Sequence, residues 1–180
     1  YIGDQTGVYR AMADGEPPWD FEFTGAGGAI EDYNVQWFPL VIGEDLDVLY
    51  IELEIAGLTH TAPMDLNIFL LDPYGGGIEI MDDSGDQVPV TDLTIVFSDK
   101  ADSLPPADTE LGSGPYLPMG PGAFADITQT LGEWRLLVVD DAVDDSGSFD
   151  SFTLRGHVVP EPMTLSLLAF GALAAMRRKR

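Results

Sequence analysis

Cysteine is absent from this chain of 180 residues, and histidine occurs only twice. The absence of thiols excludes a disulfide-stapled miniprotein and a cysteine nucleophile, although it does not by itself assign a cellular compartment. The two imidazoles, His60 and His157, do not accompany a Gly-x-Ser-x-Gly turn or another nucleophile motif. We therefore expect no catalysis by these side chains and no enzymatic activity of this chain.

Basic residues are scarce, since eight Lys and Arg stand against 31 Asp and Glu and give a formal net charge of −23. Half of them are the last four residues, so the body of the chain is more acidic still. A nucleic-acid binder needs a basic face that displaces phosphate counterions. The composition therefore excludes nucleic acid as a partner and predicts a self-repelling, soluble body.

Helical spacing is lacking before residue 163, whereas apolar and polar residues alternate with a period of two along most of the body. A hydrophobic content of 45% is enough to offset chain entropy, and the length fits one domain. The alternation predicts about eight strands. Since no crossover helices connect them, we expect an all-β fold, an antiparallel sandwich of jelly-roll-like form.

Turn residues separate the alternating segments, and we interpret residues 25–28 (Gly-Ala-Gly-Gly), 72–75, 84–86 and 146–147 as surface turns. The longest connection, residues 101–122, contains five prolines and four glycines and cannot be a central strand. Long loops on rigid sandwiches often carry function, so this loop and its Tyr116 are candidates for recognition. Trp19, Trp37 and Trp134 fall in strand patterns and are expected in the core.

Two acidic loops are candidates for a calcium site, because Ca²⁺ takes hard oxygen ligands. The first comprises Asp140, Asp141, Asp144, Asp145 and Asp150, and the second comprises Asp82, Asp83 and Asp86. Neither run fits an EF-hand register. The alternative is a solvated acidic turn whose carboxylates accept backbone N–H groups, and both interpretations stay open. In so acidic a chain, a chance pair of carboxylates does not indicate glycoside hydrolysis.

The last residues have a different chemistry from the body. Residues 163–176 form an uncharged run, which would span ~21 Å as a helix against a hydrocarbon core of ~30 Å. The run follows Pro160, Glu161 and Pro162 and precedes Arg177, Arg178, Lys179 and Arg180. We expect one short hydrophobic C-terminal helix. The alternative is a helix that folds back onto the core.

This order of Pro-Glu-Pro, short apolar run and arginine-rich end resembles the PEP-CTERM sorting signal of bacterial envelope proteins. The resemblance implies export, transient inner-membrane contact through residues 163–176, and processing near the Pro-Glu-Pro motif by an exosortase, a membrane cysteine protease. It also implies a secreted or surface-displayed protein in which residues 159–180 are a temporary address.

The body carries a second likeness, in its middle and closing strands. The residues concerned are 58–61 (Leu-Thr-His-Thr), 65–70, 72–75, 132–136, 145–147 and 149–154. They resemble the P domain (P/Homo B domain) that follows subtilisin-like catalytic domains in proprotein convertases. The P-domain-like region is residues 1–158, with the strongest match at 45–158, and the resemblance implies a jelly-roll β-sandwich. Phe152 stands where the family usually has tryptophan, and some P domains bind calcium.

These features predict a non-catalytic binding or support module of the bacterial envelope. One alternative is an accessory P domain of a subtilisin-like serine endopeptidase, since the catalytic domain is absent from this chain. Another is a calcium-dependent, lectin-like binder of extracellular polysaccharide. The first residue is tyrosine, so we expect that a secretion signal has been removed or that the chain is a fragment.

Overall fold

The computed structural model describes residues 19–120 and 124–159. They form eight strands in two four-stranded sheets, in which every pairing is antiparallel. The strands are β1 Phe21–Ile30, β2 Val35–Ile42, β3 Val48–His60, β4 Leu66–Leu71, β5 Gly77–Met81, β6 Val90–Ser98, β7 Gly132–Asp140 and β8 Gly147–Val158. Two short 3₁₀ turns, Pro63–Asp65 and Phe124–Asp126, lie between them.

We name the sheet with the order β1-β8-β3-β6 sheet I and the sheet with the order β2-β7-β4-β5 sheet II. This order is that of an eight-stranded jelly roll, in which each sheet takes alternate strands of two interlocked Greek keys. The prediction of an all-β antiparallel sandwich is therefore confirmed. The predicted C-terminal helix and the sorting residues lie outside the described residues.

The core lies between the two sheets and is built by the alternation that the sequence shows. Leu53, Phe97 and Leu154 of sheet I face Trp134 and Leu136 of sheet II, and all five side chains are buried. The Trp134 Nε1–H donates to the Thr130 carbonyl at 2.7 Å, so the one polar atom of this side chain is satisfied. The expectation of a core tryptophan is confirmed for Trp134.

The other two tryptophans are not in the core. Trp37 is 50% exposed on β2, and Trp19 is partly exposed just before β1. Trp37 lies on the outward side of β2, and Trp19 precedes β1, so its parity with the buried Phe21 does not place it in the core. The expectation that Trp19 and Trp37 are core residues is therefore wrong.

The glycines at residues 25–28 also differ from expectation, because they lie inside β1 and not in a turn. A Cβ on Gly25 would overlap the ring of Phe152, and a Cβ on Gly27 would overlap the Phe149 backbone and ring. These glycines let two core phenylalanines of β8 approach the neighbouring strand closely. Long-range packing, and not local turn formation, explains this run.

The described part of the proline-rich connection runs along two sheet edges. The Val96 amide donates to the Ser113 carbonyl at 3.1 Å, and the Ser98 amide donates to the Tyr116 carbonyl at 2.8 Å. Further on, the Gly120 amide donates to the Glu79 carbonyl of β5 at 2.9 Å. The connection thus covers the edges of β6 and β5, which protects both from pairing with other chains.

Candidate functional site

The predicted acidic loops meet at one end of the sandwich. The loop after β7 contacts the Pro63–Asp65 turn, where the Asp141 amide donates to the Asp65 carbonyl at 3.1 Å. The Asn67 Nδ2 donates to the Asp141 carboxylate at 3.3 Å, and the Asp145 amide donates to the Asp32 carboxylate at 3.3 Å. Acidic residues from three separate segments therefore share this end, which we name the acidic end.

The carboxylates of Asp65 and Asp145 form a hydrogen-bonded pair there. Burial, the hydrogen bond with Asp145 and repulsion by Asp145, Asp140 and Asp141 together raise the pKa of Asp65 to about 6. The Thr61 hydroxyl donates to Oδ1 of Asp145 at 2.9 Å. Burial first, and crowding of like charge after it, thus disfavour the ionised form of Asp65.

Asp140 has a different environment from the other predicted ligands. Its side chain is fully buried and lies 3.3 Å from Nε2 of His60, which is also fully buried. The Ala62 amide donates to Nδ1 of His60 at 3.3 Å, so the imidazole hydrogen sits on Nε2 and is donated to Asp140. The carboxylate also accepts the Ala142 amide at 3.3 Å. Asp140 is thus engaged by the fold and points away from solvent.

The remaining predicted ligands are dispersed. Asp144 is exposed at a positive φ of 73°, and Asp150 lies within β8, against Gly57 of β3, and not on the loop with the others. In the second loop, burial and repulsion by Asp82 and Asp141 raise the pKa of Asp83. The structure therefore brings the second loop towards Asp141, but it separates Asp150 from the acidic end.

These donors do not form a complete calcium site as they stand. Within residues 19–120 and 124–159, no three His, Asp or Glu side chains converge on one point suited to a metal ion. One oxygen at this end, Oδ1 of Asn67, is buried without a hydrogen-bond partner. The orphan oxygen lies beside the Asp141 carboxylate, yet the pair lacks the further ligands that Ca²⁺ takes. The calcium hypothesis stays a prediction.

The second histidine lies at the opposite end of β8. Nδ1 of His157 is 3.2 Å from the Asp20 carboxylate, and its ring lies 5.2 Å from that of Trp19. No local pattern predicts this contact, because His157 and Asp20 are 137 positions apart along the chain.

The outward face of sheet II is largely apolar, although Asn67, Glu133 and Arg135 also lie on it, and the period-2 pattern did not predict it. Three neighbouring strands place Trp37, Leu137 and Phe69 directly opposite one another. The other apolar residues of this outward face are Val35, Pro39, Val41, Leu71 and Val139. We name these eight residues the apolar face.

Exposure is high along the β2 side of the apolar face. Val35 is 51% exposed and Val41 is 72% exposed. Sheet I behaves in the opposite way, because its outward side chains include Glu54, Thr153 and Arg155. An antiparallel sheet with one solvated face normally alternates apolar inside and polar outside. Sheet II instead resembles a sheet that is covered on both faces.

A sequence signal for the apolar face does exist. Residues 38–42, 66–71 and 136–139 read Phe-Pro-Leu-Val-Ile, Leu-Asn-Ile-Phe-Leu-Leu and Leu-Leu-Val-Val, which are nearly continuous apolar runs. Such runs are typical of strands buried on both faces. The period-2 pattern uses only every second residue of these runs, so it does not show that the residues between are apolar as well.

A shallow pocket of about 340 Å³ adjoins the apolar face at the turn between β4 and β5. Leu71 and Pro73 form its apolar side, and Glu133 and Arg135 form its polar side. The two charged groups pair at 2.6 Å and are both about half exposed. Arg135 lies directly between Pro39 and Leu71 in the strand register, so this ion pair interrupts the apolar face near the β4–β5 turn.

The fold and its surfaces define a jelly-roll β-sandwich with one apolar outward face and one acidic end. No protein-family profile matches the sequence, and no curated protein matches it. In the part of the chain that the structure describes, no helix is long and apolar enough to cross a membrane.

Two solved structures resemble the chain remotely. The serine protease of Aeromonas sobria matches with a TM-score of 0.43 and 17% identity over 78% of this chain. The same protease in complex with the chaperone ORF2 matches with a TM-score of 0.45 and 18% identity over 80% of this chain. The chain spans 28% of the length of each. At this distance, the likeness carries no conclusion about activity or partners.

Proposed function

We propose that this chain is a non-catalytic support module that docks onto another folded protein through the apolar face of sheet II. The observation that carries the proposal is the exposure of Trp37, Val35 and Val41, each at least half accessible on one sheet. Contiguous exposed apolar surface on a soluble domain marks an interaction site. Aromatic residues such as Trp37 are the usual anchors of such interfaces.

Charge favours a partner other than a second copy. With a formal net charge of −23, two copies repel each other, and an anionic lipid surface is repelled in the same way. Arg135 is paired with Glu133 and does not offset this charge. We therefore propose a partner with an apolar surface that is not bordered by acidic residues.

The resemblance to P domains supplies a specific candidate for the partner. The domains of that family accompany a subtilisin-like catalytic domain, so we propose such a protease domain, either on a longer chain or as a separate subunit. The chain itself contributes binding and support in this proposal, and the partner contributes any catalysis.

Site-specific photocrosslinking in the cells of origin tests this function. A photoreactive phenylalanine analogue replaces Trp37 on the apolar face, and a matched analogue replaces Leu49, which is 62% exposed but lies outside that face. We expect one protein adduct at position 37 and none at position 49. Adding Val41→Lys should abolish the adduct, because it places a charge in the interface at a position that leaves the core intact.

Two outcomes would contradict the docking proposal. Equal adducts at both positions would show that position 37 is no more an interface than other exposed surface. An adduct consisting only of a second copy of this chain, or of lipid, would assign the apolar face to self-association or membrane contact.

We further propose that residues 159–180 direct the protein to the cell envelope and are removed there. The sequence resemblance to the PEP-CTERM signal supports this. Intact mass measurement of the native protein tests it, and we expect a C-terminus near the Pro160-Glu161-Pro162 motif. A native mass that retains residues 163–180 would contradict processing by an exosortase.

A further inference from the structure

The outward face of sheet I carries a groove of about 460 Å³ near the start of β1. Trp19, Val96 and Pro115 give it apolar walls, and Glu52 and Lys100 bring charged groups to it. This volume lies in the range of small-molecule and oligomer sites in proteins, which is about 300 to 1,000 Å³. The groove is on the opposite sheet from the apolar face, so its function is independent of the docking proposal.

Trp19 is fixed in place by its neighbours. Its ring lies 5.2 Å from the His157 ring and 6.2 Å from the Tyr50 ring, and the Arg155 guanidinium is 5.1 Å from its centroid. Arg155 is itself held by Glu52 at 2.7 Å and by a second carboxylate of β3 at 2.6 Å. An aromatic ring held in this way provides a preformed wall, at low entropic cost on binding.

The opposite rim is also held in place. The Ser113 carbonyl accepts the Val96 amide at 3.1 Å, and the Val96 carbonyl accepts the Tyr116 amide at 2.9 Å. These bonds occupy the edge of β6 beside the groove. An extended peptide therefore cannot bind here by adding a strand, which is the common way for a peptide to bind at a sheet edge.

The polar groups of the groove select against a charged ligand. Two carboxylates, Glu52 and Glu54, are balanced by two cations, Arg155 and Lys100, so neither an anion nor a cation is favoured. Three hydroxyls, those of Thr94, Ser98 and Ser113, also line the groove. A carboxylate accepts, an ammonium donates, and a hydroxyl does both. This mixture suits a neutral ligand rich in hydroxyl groups, and the apolar wall suits a ligand that also has a C–H face.

We propose that this groove binds a neutral saccharide chain, with a sugar ring packed against the indole of Trp19 and its hydroxyls directed towards the exposed hydroxyls of Thr94 and Ser113. The site needs no calcium, because none of its groups belongs to the acidic end. Binding here leaves the apolar face of sheet II accessible.

Titration calorimetry with the full chain tests the proposal. The probes are neutral hexasaccharides: glucose with α-1,4, β-1,4 and β-1,3 linkages, mannose, and N-acetylglucosamine. We expect saturable binding of at least one of them, unchanged by a calcium chelator. Trp19→Ala should weaken it at least tenfold. Thr94→Arg, at an exposed position, should weaken it by fivefold or more because the larger side chain occupies the groove.

Tyr74→Ala is the matched control, since Tyr74 is an exposed aromatic residue on the distant β4–β5 turn. The affinity of this variant for the saccharide should equal that of the unmodified chain. Thermal unfolding of each variant establishes that it is folded. The proposal is overturned if none of the hexasaccharides binds, or if Trp19→Ala and Thr94→Arg bind as tightly as the unmodified chain. Binding of a peptide library to the groove, in place of the saccharides, would also overturn it.

Discussion

The pair formed by His60 and Asp140 allows the sharpest test of the structure. Both side chains have no solvent exposure and their nearest nitrogen and oxygen are 3.3 Å apart. His60→Ala leaves the Asp140 carboxylate buried without its imidazole partner. Breaking a buried pair on one side costs about 3 to 5 kcal/mol. At roughly 3 °C per kcal/mol for a domain of this size, the melting temperature should fall by about 10 to 15 °C.

Denaturant and thermal unfolding of three variants separate lost packing from lost pairing. Asp140→Asn keeps the shape and an acceptor oxygen for the imidazole N–H but turns its NH2 group towards the Ala142 amide, so it should cost about 1 to 3 kcal/mol. The double variant His60→Ala with Asp140→Asn should cost clearly less than the sum of the single changes, because no buried charge is left unpaired. A loss of under about 1 kcal/mol for His60→Ala would contradict the buried His60–Asp140 pair, since a buried unpaired carboxylate costs more.

Three further predictions concern the acidic end and the strand pairing. Because the pKa of Asp65 is raised to about 6, the folded state binds the extra proton between about pH 4 and 6, so this group destabilises the fold most above pH 6. Asp65→Asn should therefore raise the melting temperature at pH 7.5 and lose most of that advantage by pH 4.5; an equal gain at both pH values would contradict this. If calcium binds at the acidic end, 5 mM calcium should raise the melting temperature, because this concentration exceeds the dissociation constants of weak extracellular sites, which reach about 10⁻³ M. Asp145→Asn should abolish the rise. Identical melting with calcium and with chelator would exclude the site. Gly156→Ala should disrupt the fold, because the added methyl overlaps the Tyr50 carbonyl of β3, whereas Gly43→Ala meets nothing within 4 Å and should melt normally; soluble, normally melting Gly156→Ala would disprove the β3–β8 register.

The strands were predictable from the sequence because alternation is a local property of each segment. For β3, the inward Ile51, Leu53 and Ile55 and the outward Glu52 and Glu54 identify both the strand and its buried face. Sheet II was predicted as strands but not as a surface, because its outward residues are apolar as well. A segment that is apolar on both faces can be predicted as a strand, but the pattern does not show which of its faces is exposed.

The errors and omissions arise from contacts between distant residues. The glycines of β1 resemble a turn locally, and only the phenylalanine rings of β8 explain them. The His60–Asp140 pair joins residues 80 positions apart, so Asp140 looked like a loop carboxylate in the sequence. The groove on sheet I likewise combines Trp19 with residues 113–115, and no local pattern connects them.

The pairing of β1 with β8 fixes where the two ends of the domain emerge. Phe21 pairs with Gly156, and the Asp20 amide donates to the Gly156 carbonyl at 2.9 Å, so residues 19 and 159 leave the sandwich side by side. The first residue of β8, Gly147, pairs with Ile30 at the far end, about 40 Å away at the usual rise per strand residue. A molecule tethered through the residues after 159 would therefore stand upright on its tether. Its acidic end would be the outermost point, and its two sheets would face sideways in opposite directions, which lets one molecule join a neighbour on one side to a ligand on the other.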